Sequence, residues 1–70
     1  MDIKLPLGAT VRSAAYLERI TLEGDLVPLN GWECYFPKIG RNAAIIYEGI
    51  SESEATEKFF DWLKKRGFIP

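Results

Sequence analysis

Gly31-Trp32-Glu33-Cys34-Tyr35-Phe36-Pro37 is the stretch on which the fold turns. Trp32, Cys34 and Phe36 alternate with Glu33 and Tyr35, a period of two that sends one set to each face of a half-buried strand. Pro37, which has no backbone N–H to donate, ends it. Downstream, Lys38-Ile39-Gly40-Arg41-Asn42 supplies a turn, and Ala43 to Gly49 reads as a second strand. Upstream, Asn30-Gly31 is a strong hairpin-turn signal. The other arm of that hairpin is expected within Tyr16–Leu29, centred on Leu17–Glu23, with Gly24-Asp25 as a turn or bulge and Pro28 limiting the pairing.

After Gly49 the period changes to that of a helix. Ser51 and Glu54 form an S-x-x-E capping box, in which each side chain satisfies the other's orphan backbone N–H. Ala55, Phe59, Trp62 and Leu63 then fall on one helical face. Glu52, Glu54 and Glu57 sit at the positive end of the helix dipole, and Lys64, Lys65 and Arg66 at the negative end. Gly67 suits a left-handed C-terminal cap that folds Phe68 back on Leu63. The spacing predicts a helix over 52–66.

These elements define an α+β fold: a small three-stranded antiparallel sheet packed against one C-terminal helix, in the order β-β-β-α, as one domain over residues 1–70. Residues 1–15 leave room for an extra element. Ile3, Leu5 and Leu7 alternate as an edge strand limited by Pro6. Thr10 to Ala15 reads either as a short helix, with Thr10 as cap and Val11 and Ala14 inward, or as a loop.

Seventy residues, 47% of them hydrophobic and 27% charged, describe an ordinary globular chain. Nine Lys and Arg against ten Asp and Glu give a net charge of −1, which argues against retention on nucleic acid or anionic lipid by bulk charge. The chain has no His and a single Cys, so an intrachain disulfide framework and the usual His/Cys zinc sites are excluded. No signal peptide is expected from Met1-Asp2-Ile3-Lys4, which lacks a basic lead into an apolar run. The longest apolar stretch, Ala43 to Tyr47, is far below the roughly 20 residues that span a bilayer. With an unpaired cysteine as well, a cytoplasmic location without membrane attachment is expected.

Little catalytic chemistry is on offer. Nucleophilic catalysis needs a base beside the nucleophile, most often His, and two of the three serines, Ser51 and Ser53, belong to the helix start. Cys34 shares the inward set of its strand and is expected to behave as a small hydrophobe. Glu48, Glu52, Glu54 and Glu57 do not match a calcium loop, which alternates oxygen ligands around a glycine. Gly40 and Gly49 are isolated. No enzymatic activity, metal or cofactor is expected.

The functional expectation comes from coverage. One helix shelters one face of a three-stranded sheet, yet Ala43-Ala44-Ile45-Ile46-Tyr47 is apolar in both alternating sets, which normally requires cover on both sides. Unless the N-terminal segment covers it, one set (Ala43, Ile45 and Tyr47, or Ala44 and Ile46) is left as an apolar patch, the usual make-up of a protein-binding site. The expected partner-binding residues are Tyr35, Ile45 and Tyr47, with Lys38 and Arg41 at the rim. The implied function is a small non-catalytic protein-binding module of the inhibitor, antitoxin or adaptor type, of the kind phages and mobile elements encode, occluding a partner through its sheet face. An open edge strand also offers its backbone for sheet augmentation, in a homodimer or with a target. The alternative is nucleic-acid binding by the same face, with Tyr35 and Tyr47 as a stacking platform and Lys64–Arg66 assisting.

Two resemblances accompany this reading. The run Gly31–Pro37, followed by a strand and then Ser53-Glu54-Ala55, resembles HicB-type antitoxins, which implies a toxin-neutralising protein that often dimerises. The Asp-Leu-Pro-Gly usual after Phe-Pro in that family is absent, and the stretch before the helix is several residues longer. The β-β-β-α order is similar to the integrase amino-terminal arm-binding fold, which implies a sheet entering a DNA groove, although the basic strands of that family are missing here. Both resemblances are confined to the last 40 residues.

Overall fold

In a computed structural model of the chain, residues 3–69 are described. The central strand is β4 (Gly31–Tyr35), where the alternation of Trp32, Cys34 and Phe36 placed it. It is flanked by two antiparallel neighbours, β1 (Thr10–Ser13) and β5 (Ile45–Glu48), in the order β1-β4-β5. Val11, Cys34 and Ile45 lie in one cross-strand row, Arg12, Glu33 and Ile46 in the next, and Trp32 pairs with both Ser13 and Tyr47 in the one after that. Directly paired residues share a face, so Val11, Cys34, Ile45, Trp32 and Tyr47 look one way, and Arg12, Glu33, Tyr35 and Ile46 the other.

The segments that make the sheet differ from expectation at four points. The partner of the Trp32 strand is Thr10–Ser13, neither helix nor loop. Leu17–Glu23 does not reach that strand. Instead β2 (Glu18–Ile20) turns back on β3 (Leu26–Pro28) as a separate two-stranded ribbon. The turn chemistry explains this. Thr21 N–H donates to the Asp25 carbonyl at 2.8 Å, the Asp25 N–H returns to Thr21 Oγ1 at 3.1 Å, and Gly24 sits at φ +89°. A three-residue loop with glycine in the left-handed position is a common hairpin connection, so the two strands it joins pair with each other. Gly31 answers a different need from the turn that Asn30-Gly31 suggests. A Cβ there would strike the Tyr47 carbonyl oxygen and stand 2.9 Å from Glu48 Cα, so glycine is required by the closeness of β5. The other neighbouring strand is also shorter than read: Ala43 and Ala44 precede β5 rather than belong to it.

Helix α1 (Glu52–Lys65) covers the first face. Ser51 caps it, its hydroxyl accepting from Glu54 N–H at 3.2 Å. Ala55, Phe59 and Leu63 recur every four residues and are buried, each large side chain contributing about 1.5–3 kcal/mol on burial. The helix stops as its sequence asks: Gly67 takes φ +82°, and Phe68 N–H donates to the Leu63 carbonyl at 2.9 Å. Phe68 then meets the Phe36 ring edge-on at 5.8 Å and stacks on Trp62 at 6.2 Å. Cys34, Phe36, Phe59 and Leu63 form the buried core, with Leu5, Ala9, Val11, Ile45 and Tyr47 packed around it. No helix among the described residues is long and apolar enough to cross a membrane.

Candidate interaction site

The five residues expected at a binding face do not share one. Tyr35 and Arg41 border a shallow depression of about 340 Å³ on the open side of the sheet, with Thr10, Arg12, Glu33 and Asn42. Ile45 and Tyr47 lie on the opposite face and pack against the core. Burial pushes the Tyr47 hydroxyl pKa upward. Lys38 is exposed on a short 3-10 turn, Pro37–Ile39. The strand is apolar on both faces because Ile45 and Tyr47 join the core, while Ile46 is half-buried on the far side beside Glu33.

Charge, more than apolar surface, characterises that open face. Arg12 Nε donates to Glu33 Oε1 at 2.6 Å, and Tyr16 OH donates to the other carboxylate oxygen of Glu33. The Arg12 guanidinium also stands 5.1 Å from the Tyr16 ring centroid. The hydrogen bonds from Tyr16 and Arg12 hold the Glu33 carboxyl below its ordinary range, and those to Glu33 and Tyr16 raise Arg12. This trio ties the start of the ribbon to the sheet. A second tie is the ion pair of Arg19 with Glu48 at the end of β5.

The exposed apolar surface is elsewhere. Apart from Leu7, which is exposed by itself ahead of β1, the exposed large apolar side chains among the described residues are Tyr16, Ile20, Leu22, Leu26 and Val27, all within residues 16–27. Pairing sets Ile20 opposite Leu26 and Glu18 opposite Pro28 on one face of the ribbon. Ile20 and Leu26 are 70% and 61% exposed, and Leu22, at the tip, is fully so. The opposite face bears Arg19 and Val27. Glu18, Glu23 and Asp25 make the ribbon acidic, since its one cation, Arg19, is engaged by Glu48.

A third feature lies between β5 and α1. The helix packs across β4 and β1, leaving beside β5 a groove of about 300 Å³ lined by Tyr47, Trp62, Lys58, Asp61 and Lys65. Arg66 stacks over Trp62, 5.0 Å from its centroid. The ribbon had a readable signal, namely apolar residues on both sides of Thr21-Leu22-Glu23-Gly24-Asp25, a loop that closes on itself. The groove had none, because it depends on where the helix crosses the sheet. No family model, curated protein or solved structure matches the chain.

Proposed function

We propose that this chain is a non-catalytic protein-binding module that docks through the β2–β3 ribbon. The observation that carries the reading is the exposure of Ile20, Leu22 and Leu26 on a projecting two-stranded element. An isolated two-strand hairpin is marginal in water, and contiguous apolar exposure on a small protein marks an interaction surface. The ribbon thus gains order and loses water by seating in a partner. Its acidic turn favours a partner with basic groups at the rim of an apolar surface, and disfavours insertion among phosphates. Tyr35 and Arg41, on the open sheet face, extend the contact, and a cytoplasmic setting suits the reduced Cys34.

The test compares proteins captured from host lysate by wild type, I20S/L26S and Y35A, each at low and high salt. Capture should be lost in I20S/L26S, survive high salt, and be at most reduced in Y35A. Capture that disappears with nuclease or moderate salt, and persists in I20S/L26S, would move the chain to the nucleic-acid class.

A further inference from the structure

The ribbon and the groove are matched surfaces. We infer that the groove between β5 and α1 receives the β2–β3 ribbon of a second copy of this chain, and that two such contacts, related by a two-fold axis, make a reciprocal dimer. The inference rests on the ribbon being the docking element and adds its occupant.

Shape and polarity both support it. The ribbon presents Ile20 and Leu26 side by side with Leu22 at its tip, and its turn carries Glu23 and Asp25. The groove is lined by Tyr47 and by Trp62, whose ring also carries Phe68 and Arg66, together with Lys58 and Lys65 against the single opposing charge of Asp61. Acidic-apolar meets basic-apolar. Within one copy these surfaces stay apart: α1 packs on β4 and β1, whereas β2 and β3 pair with each other, and the apolar face of the ribbon remains exposed. A second copy brings both halves at once. A reciprocal exchange closes on itself and uses each ribbon and each groove once, so the assembly ends at two.

Charge reversal tests this directly, because all four charges are exposed and their replacement leaves the core untouched. Sedimentation equilibrium over about 5 to 500 µM should show wild type in a concentration-dependent monomer–dimer equilibrium. E23K/D25K sets a basic ribbon against a basic groove, and K58E/K65E an acidic ribbon against an acidic groove. Each alone should dimerise at least about tenfold more weakly. Mixed in equal amounts, the two variants place opposite charges in both contacts, and dimerisation should return to near wild-type strength. Circular dichroism confirms that each variant is folded.

The second-copy assignment is overturned if wild type is monomeric throughout, if dimerisation ignores both reversals, or if the mixture binds no better than its components. If wild type is monomeric but I20S/L26S still abolishes lysate capture, the ribbon serves a different protein and the binding reading survives. If neither self-association nor capture depends on the ribbon, both readings fall.

Discussion

At the scale of single residues, Gly31 and Glu33 show how closely the sheet is specified. A methyl group on Gly31 meets the β5 backbone, not a flexible side-chain end, so the neighbouring strand has to move. Gly31→Ala is expected to lower unfolding free energy by about 3 kcal/mol, read by urea denaturation. Gly49→Ala, where a Cβ has open space but φ is +75°, should cost about 1 kcal/mol. Glu33 makes a prediction in acid. Its carboxyl pKa lies below the unfolded value because Tyr16 and Arg12 donate to it. The stability this provides is present above the unfolded pKa and is lost as pH falls through the folded one. Glu33→Gln should therefore flatten the decline in melting temperature on acidification below about pH 4.5.

At the scale of elements, the start, apolar face and stop of α1 were legible, although its capping box forms only through the Ser51 hydroxyl, and the sheet was legible only in part. Start, apolar face and stop of the helix are local signals, satisfied by residues within a few positions of each other. Ser51→Ala should remove about 1 kcal/mol by exposing the Glu54 N–H, measurable in the same denaturation experiment. Strand partnership is not local. Thr10-Val11-Arg12-Ser13 has no strong pattern of its own and becomes a strand because β4 offers it an edge. Asn30-Gly31 carried the signature of a turn while its glycine was demanded by a cross-strand contact. The expected binding face broke up for a related reason: the period of two sorts residues within a strand, but only the register between β4 and β5 puts Ile45 and Tyr47 on the helix side, away from Tyr35. The ribbon leads to its own expectation. Its amides, in a two-stranded element held to the body by exposed side chains, should exchange with deuterium far faster than those of Trp32–Cys34.

At the scale of the whole molecule, a small core must hold the fold, and Cys34 sits inside it. Burial pushes its thiol from 9.0 up to about 11. The raised value favours the protonated form in the folded state, so its contribution is complete below pH 9.0 and declines toward pH 11. Stability should fall across that interval, and Cys34→Ala should lessen the fall. The same protection predicts that iodoacetamide alkylates Cys34 slowly in native buffer at pH 8 and promptly in urea.

The self-closing turn from Thr21 to Asp25 has a consequence for how this chain can change. What holds the body together and what projects from it are encoded in separate stretches of sequence. No residue of the tip belongs to the core cluster, so substitution there alters the surface on display and leaves the packing behind it in place.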